Sequence, residues 1–329
     1  MNRFVFFCMV AASPLLAQLE LINRNRPIVD AHNCYPYEGK FADRIERALK
    51  VGFPVGIEQD LAWANGRVVV SHQKATSGNE PGLREHFFER VRPIVEKALK
   101  ENKRETWPLI VVHFDVKDDR PELLKAVWEM LGEYEGWITT AAVTADAHQL
   151  APYDVKPLLV MTEDADSQEA VFFRPLKPGA KLRLFGSAHT AVVPAGLATR
   201  QERLHWLATA APSVLLAEKP TNYRRWWNNS WAEVEEGGQL NAGEWTAEDE
   251  RRLRALVDHA HKLGFWIRFY TLDGFVPGEG LGWDRNYNFG SREAVVKRWK
   301  AVVEAGVNLI ATDQYEDLAA FMASGRVRP

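Results

Sequence analysis

Short apolar runs alternate along this chain with segments of helical periodicity, and the alternation constrains the fold more than any other feature. Eight runs resemble β-strands because they are apolar, rich in β-branched residues and only six to nine residues long: 27–32, 55–61, 108–116, 157–163, 181–186, 213–218, 265–272 and 308–313. Seven segments between them have the three- and four-residue apolar spacing of helices: 41–52, 83–102, 121–136, 167–176, 198–211, 246–264 and 291–306. This order predicts α/β architecture, specifically a single (β/α)8 TIM barrel.

The face of the barrel that carries the site can also be predicted. Two long loops, 219–245 and 273–290, follow the predicted sixth and seventh strands, at the C-terminal face where active sites of this fold lie. Four tryptophans in these loops could line a pocket or pack the loops on themselves: Trp226, Trp227, Trp231 and Trp283. The fourth strand–helix unit is the least defined, because residues 137–143 also resemble a strand.

Residues 1–17 have the composition of a secretory signal peptide. Arg3 precedes an apolar stretch that is too short to span a bilayer, and small residues lead up to Ala17. We expect cleavage after Ala17, which makes the protein secreted or periplasmic and leaves residues 18–329 as the barrel. Loss of Arg3 would change the formal net charge from −3 to −4. The other interpretation is that this segment forms a buried first helix.

Composition argues against several classes of protein. Cys8 lies in the predicted signal peptide, so Cys34 would be the single cysteine of the mature chain, which excludes a disulfide framework and cysteine-based zinc sites. The near-neutral charge and scattered basic residues give no indication of a nucleic-acid partner. We also expect no transmembrane span, although peripheral contact with a membrane remains open.

Acidic residues interrupt two of the predicted strands. Glu58 and Asp60 are alternate residues of one strand, so they share a face, and burying such an acid pair is costly unless a cation neutralises it. Asp115 and Lys117 repeat this pattern at the end of the next strand, and Asn33 ends the first. Three carboxylates and an amide oxygen suit one divalent cation, Ca²⁺ or Mg²⁺. The other interpretation is that the acids form salt bridges with lysines and arginines of the barrel.

Two histidines flank this acidic set. His32 ends the first strand, and His72 ends a short extension of the second. One histidine can accept the proton of an attacking hydroxyl while another protonates the leaving alkoxide, as cleavage of a phosphodiester requires. His113 shares the face of Asp115 but lies deeper in its strand. The remaining histidines lack acidic neighbours of this kind and are interpreted as structural: His86, His148, His189, His205, His259 and His261.

The order of the motifs HN, E-Q-D, SH and D-V-K resembles the superfamily of phosphatidylinositol-specific phospholipases C and glycerophosphodiester phosphodiesterases, which includes the sphingomyelinase D toxins. AHNCY, FYTLD and AGVNLIATD are most similar to the glycerophosphodiesterase-like branch that includes the fungal "altered inheritance of mitochondria" proteins. The resemblance spans residues 28–313 but is dense only at the strand ends. It implies a metal-dependent hydrolase that acts on phosphodiesters.

The resemblance also implies roles for individual residues. His32 and His72 match the paired catalytic histidines of the superfamily, and Glu58 and Asp60 match its metal-binding acid pair. Asp115 takes the position of the third acidic ligand, which is aspartate in the toxins and often glutamate in glycerophosphodiesterases.

Three further positions concern the substrate. Lys117 matches a lysine that faces the phosphate, and Arg268 matches a strand-seven arginine that could hold a phosphate oxygen. Asn33 departs from ordinary glycerophosphodiesterases, which carry arginine there, and agrees with the phospholipases C, where asparagine is a calcium ligand. The substrate is therefore expected to be a small-molecule or lipid-headgroup phosphodiester, without a defined headgroup.

Two other functions are compatible with the barrel. A catalytically silent barrel could bind phosphorylated ligands or a cell-envelope partner, but it would not need both a base and an acid. An amidohydrolase would hold its metal with two alternating histidines on the first strand, where this chain has AHN.

Overall fold

The computed structural model describes residues 26–36, 40–73, 76–275 and 287–325. The strands are β1 (Ile28–Ala31), β2 (Val55–Ala64), β3 (Arg67–Val70), β4 (Ile110–Val116), β5 (Thr140–Ala142), β6 (Tyr153–Asp154), β7 (Leu158–Thr162), β8 (Lys181–Leu182), β9 (Phe185–Ser187), β10 (Arg224–Ser230), β11 (Trp266–Tyr270) and β12 (Leu309–Thr312). The α-helices are α1 (Arg44–Lys50), α2 (Glu89–Glu101), α3 (Pro121–Glu133), α4 (Asp166–Phe172), α5 (Arg200–Thr209), α6 (Pro212–Leu215), α7 (Ala247–Leu263), α8 (Arg292–Ala305) and α9 (Tyr315–Ala323). Shorter turns are π-helical at Arg84–Phe88 and 3₁₀ at Arg104–Thr106, Glu135–Trp137, Trp231–Glu233 and Gln239–Asn241.

Eight parallel strands close into a barrel, which confirms the predicted (β/α)8 fold. Their order around the barrel is β1, β12, β11, β10, β9, β7, β4 and β2, and the pairing of β1 with β2 closes it. The barrel strands are largely buried and, apart from β10 and the polar positions of β2 and β4, mostly apolar, as parallel strands covered on both faces should be. Gly56 of β2 lies beside Asp30 of β1, and a Cβ at position 56 would overlap the Asp30 carboxylate. The glycine therefore leaves room for a buried acid inside the barrel.

A hairpin extends β2 beyond the barrel. Asn65 and Gly66 connect β2 to β3 with positive φ angles of 51° and 77°, which is the two-residue turn that Asn-Gly favours. The antiparallel β3 then runs back along β2, and the Ser71 N–H donates to the Asp60 carbonyl oxygen at 2.9 Å. His72 follows directly, so the hairpin returns it to the level of Asp60.

The predicted sixth strand at 213–218 is wrong. Pro212 begins the short helix α6 there, and the sixth strand is β10, inside the segment predicted as a loop. The sequence RRWWNNS has no aliphatic residue, but Trp226 and Trp227 are buried and its charged residues have partners inside the protein. Arg224, for example, lies 2.7 Å from Glu169. Burial in this strand therefore depends on paired polar groups, which an apolar pattern does not detect.

Three further regions refine the sequence interpretation. Residues 140–142, within the ambiguous segment 137–143, form β5, which belongs to a separate antiparallel sheet with β6 and β8. Helix α9 was not predicted. Trp226, Trp227 and Trp231 are buried in the core and do not cap a pocket, whereas Trp283 lies outside the described residues, as does the predicted signal peptide. Among the described residues, no helix is both long and apolar enough to cross a membrane.

His86 provides a test of how pH affects stability. It is 2% exposed, and burial, with the nearby Arg90 charge, lowers its pKa to about 4. The unfolded chain, with a histidine pKa near 6.5, therefore binds this proton first as the pH falls. The stabilisation by neutral His86 should be complete above about pH 6.5 and should decrease by about 3 kcal/mol on acidification to pH 4.

The measurement compares urea unfolding of the parent and His86→Asn at several pH values between 7.5 and 4. The contributions of all other titrating groups to the unfolding free energy cancel when the two proteins are compared at the same pH. We expect the advantage of the parent to decrease as the pH falls. A difference that stays constant over this range would contradict the prediction.

Candidate active site

A cavity of about 480 Å³ opens at the C-terminal ends of the barrel strands. Seven of the eight predicted site residues line it: His32, Asn33, Glu58, His72, Asp115, Lys117 and Arg268. The eighth, Asp60, is 1% exposed and lies directly behind them. The other wall is formed by Glu163, Asp164, Asn228, Tyr270, Thr271 and Tyr287.

Three carboxylates converge on one point of this cavity. Glu58 and Asp60 are alternate residues of β2, and the strand register pairs Asp60 with Asp115 of β4. One oxygen from each of the three carboxylates lies within 4.8 Å of the others. Oxygen ligands around a cation with bonds of about 2.0–2.6 Å can be up to about 5 Å apart, so the set fits a single Mg²⁺ or Ca²⁺ ion.

Lys117 lies against two of these carboxylates. Its Nζ is 2.6 Å from Asp115 Oδ2 and 3.0 Å from Asp60 Oδ2. Burial opposes the charge of the lysine, but Asp60 and Asp115 outweigh burial and raise the pKa of Lys117. Burial also raises the pKa of Asp60, and repulsion from Asp115 and Glu58 adds to this in spite of the His72 hydrogen bond. One lysine therefore does not fully compensate the acids.

Glu58 is surrounded by cationic groups. Arg268 Nη2 and His113 Nδ1 each lie 3.3 Å from its Oε1, and the Asn33 N–H donates to its Oε2 at 3.0 Å. Burial opposes ionisation of this glutamate, yet His32, Arg268 and His113 hold the pKa of Glu58 well below its usual value. The salt-bridge interpretation is thus partly correct, since Glu58 contacts an arginine while also belonging to the convergent carboxylate set.

His113 joins the two walls of the cavity. It is 1% exposed, and its Nε2 lies 2.6 Å from Glu163 Oε1 on the opposite wall. Burial and Arg268 disfavour its protonation, but Glu163 and Glu58 raise the pKa of His113 to about 10. The edge of its ring packs against Trp226, with the ring centroids 5.0 Å apart.

His32 is held by a carboxylate from the last barrel strand. Its Nδ1 lies 2.9 Å from Asp313 Oδ1, and its Nε2 lies 3.4 Å from Glu58 Oε2. Burial disfavours the imidazolium, but Glu58 and Asp313 outweigh burial and raise the pKa of His32 to about 9. The ring is therefore fixed at the first-strand end of the cavity.

His72 occupies a more open position. Its side chain is 56% exposed, and its Nδ1 is 2.8 Å from Asp60 Oδ2. The β2–β3 hairpin creates this contact, because it brings His72 back to Asp60, which lies twelve positions earlier in the chain. In each of the two histidines, Nδ1 thus lies next to a carboxylate, which favours a proton on that nitrogen.

Asn33 and Arg268 lie within bonding networks. The amide of Asn33 lies between His32 and Tyr35, with its oxygen 2.6 Å from the Tyr35 hydroxyl. Arg268 donates to Asp30 at 2.6 Å and to Asn228 at 3.0 Å, besides its contact with Glu58. Arg268 also lines the cavity, and its guanidinium has five N–H donors, of which these three contacts use three.

Several residues of the site were not singled out from the sequence. Asp313 and Glu163 end predicted strands, so the sequence predicts their position at the rim of the barrel. It does not predict which histidines they contact. Asn228 belongs to the sixth strand, which was missed. Asp30 points into the barrel one residue before the end of β1, and Tyr35 lies in the following loop, where no sequence pattern indicates its contacts.

No protein-family model and no curated protein matches this chain. Among solved structures, it is similar to a glycerophosphoryl diester phosphodiesterase from Parabacteroides distasonis, with 13% identity and a TM-score of 0.41 over 95% of this chain and 92% of the other. It is also similar to HPPK-DHPS from Plasmodium falciparum, with 8% identity and a TM-score of 0.42 over 92% of this chain and 48% of the other. For dihydropteroate synthase from Yersinia pestis, the identity is 11% and the TM-score 0.30, over 91% and 92%. Likenesses this distant do not distinguish one activity from another.

Proposed function

We propose that this protein is a metal-dependent phosphodiesterase that hydrolyses a glycerophosphodiester or a phospholipid headgroup by acid–base catalysis with His32 and His72. The proposal places the protein in the phosphodiesterase superfamily that its motifs resemble. One observation supports it most strongly. Two carboxylate-held histidines line the same cavity as a convergent set of three carboxylates and a lysine.

The balance of charge supports a divalent cation. Six carboxylates belong to the contact network around Glu58 and Asp60: Asp30, Glu58, Asp60, Asp115, Glu163 and Asp313. The cationic side chains that contact them in this network are Lys117, Arg268 and, when protonated, His32, His72 and His113. Even with all three histidines protonated, these six carboxylates carry more negative charge than the five cationic groups carry positive charge, and a bound divalent cation would offset the excess. When bound, this ion supplies positive charge against the phosphoryl oxygens.

The protein's own residues perform the proton transfers. One histidine accepts the proton of the attacking hydroxyl, which belongs to water or to a vicinal position of the substrate, as the new oxygen–phosphorus bond forms. The other histidine donates its proton to the leaving alkoxide as the old bond breaks. Lys117 and Arg268 face the phosphoryl oxygens and stabilise the charge that develops on them. If a vicinal hydroxyl attacks, the first product is a cyclic phosphate.

Phosphorus NMR tests this function directly. We expect a panel of glycerophosphodiesters and phospholipids to give a phosphomonoester or cyclic phosphate resonance from at least one compound. EDTA should abolish the reaction, and excess Mg²⁺ or Ca²⁺ should restore it. If no compound reacts with either metal while phosphorylated ligands still bind, the silent-barrel alternative takes its place.

The location is a separate part of the proposal. We propose that residues 1–17 direct secretion and are removed. Amino-terminal sequencing of the protein exported by a host cell should begin at Gln18, and a protein that retains Met1 inside the cell would contradict this.

A further inference from the structure

Tyr35 is buried in an unusually polar position. It is 0% exposed, and its hydroxyl lies 2.6 Å from Asn33 Oδ1, 2.8 Å from Asp60 Oδ2 and 3.3 Å from His72 Nδ1. A tight turn creates this placement, because Asn33 has a positive φ of 49° and its carbonyl accepts from the Tyr35 N–H at 2.8 Å. The turn directs the ring beneath the floor of the cavity.

The hydroxyl connects the two candidate catalytic histidines. From His32 Nδ1, the Asn33 amide nitrogen is 2.7 Å away, and the amide oxygen is 2.6 Å from the Tyr35 hydroxyl. The hydroxyl then reaches Asp60 Oδ2, which is 2.8 Å from His72 Nδ1. Tyr35 therefore lies at the centre of a line of short polar contacts between the two histidines.

The same hydroxyl helps to orient the Asp60 carboxylate. A carboxylate is a stronger acceptor than an amide oxygen, so the single hydrogen of the Tyr35 hydroxyl is best donated to Asp60 Oδ2 and not to Asn33 Oδ1. His72 and Lys117 approach this same oxygen at 2.8 and 3.0 Å. Three donors on Oδ2 restrain the rotation of the Asp60 carboxylate, one oxygen of which belongs to the convergent set.

We propose that Tyr35 is a positioning residue that fixes Asp60 and His72 relative to each other, an inference that rests on the proposed function. It touches neither the substrate nor the reacting atoms. Its hydroxyl holds the Asp60 carboxylate in the rotation that a cation needs, and the Asp60 carboxylate in turn holds the His72 ring.

Tyr35→Phe isolates this role, because phenylalanine keeps the ring and removes only the hydroxyl. The matched control is Tyr223→Phe. Tyr223 is also 0% exposed, and its hydroxyl has no hydrogen-bond partner among the described residues. A general effect of removing a buried hydroxyl would appear in both variants, and a positioning effect only in the first.

Two readouts separate positioning from stability. Isothermal titration calorimetry with Mg²⁺ and Ca²⁺ should show metal affinity about 10- to 100-fold lower in Tyr35→Phe, the loss typical of partners that orient a metal ligand. The ring-nitrogen NMR resonances of His72, assigned with a His72→Gln variant, should move in Tyr35→Phe. Tyr223→Phe should match the parent in both, and urea midpoints should show that both variants are folded.

Kinetics on the substrate found by phosphorus NMR complete the test. In Tyr35→Phe, kcat should fall about 10-fold or more at saturating metal while KM changes less than twofold. Unchanged metal affinity and unchanged His72 resonances would overturn the proposal, as would equal changes in Tyr223→Phe. Because calorimetry and NMR need no turnover, a protein that hydrolyses nothing but shows these changes would disprove the proposed function and leave the role of Tyr35 standing.

Discussion

Turnover should fall by about 10²- to 10⁴-fold when either His32 or His72 is replaced with alanine, while the affinity for a phosphodiester ligand changes little. This is the usual contribution of a general acid or base, and it is made only in the transition state. The measurement is kcat and KM on the best substrate from the NMR panel, together with ligand affinity by calorimetry. His205→Ala is the matched control, because His205 is 64% exposed and pairs only with Glu236 among the described residues.

Two further measurements assign the roles of the histidines. The losses should not add in the double variant, since both groups belong to one proton-transfer scheme. A nitrophenyl ester, whose leaving group needs no proton, should restore only the variant that lacks the acid. Parent rates in both single variants would end the catalytic assignment and favour a binding barrel.

Metal affinity should decrease at least about 10- to 100-fold when one carboxylate of the convergent set becomes an amide. Asp115→Asn and Glu58→Gln both remove one ligand charge and keep the shape of the side chain. The activity of each variant should recover in part when excess Mg²⁺ or Ca²⁺ is added, because the lost charge weakens binding of the ion and not the proton transfers.

Stability should separate these two variants. Asp115 is half-buried, and its ion-pair partner among the described residues is Lys117 alone, so Asp115→Asn should unfold close to the parent midpoint. Glu58 also balances the buried Arg268 and His113, so Glu58→Gln should lose about 1 to 3 kcal/mol of unfolding free energy.

Glu133→Gln serves as the control for both variants, since Glu133 is 57% exposed, pairs with Arg84 and does not line the cavity. Calorimetry with the metal and urea unfolding check the two expectations separately. If excess metal restored no activity in a folded Asp115→Asn protein, the carboxylate would have a role other than binding the ion.

The sequence by itself determined the barrel and the face that carries the site. Strand parity is a local property, so it placed Glu58 beside Asp60 and predicted that Asp115 would converge with them. Six of the eight barrel strands follow from local apolar runs in the same way. Of the predicted fifth strand, 181–186, only Phe185 and Gly186 belong to the barrel strand β9, because Lys181 and Leu182 form β8 of the separate sheet. The sixth strand, β10, was not predicted because its burial depends on distant partners. Arg224, for example, contacts Glu169, which lies 55 positions earlier in the chain.

Only the tertiary structure decided which groups contact one another inside the site. Asp313 holds His32 across 281 positions, and Arg268 reaches Asp30 across 238, when the last strands of the barrel close against the first. Closure is a property of the whole sheet, and no local pattern specifies which carboxylate will face which cation once the ends meet. Tyr35 shows the same limit at short range, because its hydroxyl reaches Asp60 and His72 only after a tight turn and a hairpin have brought three separate segments together.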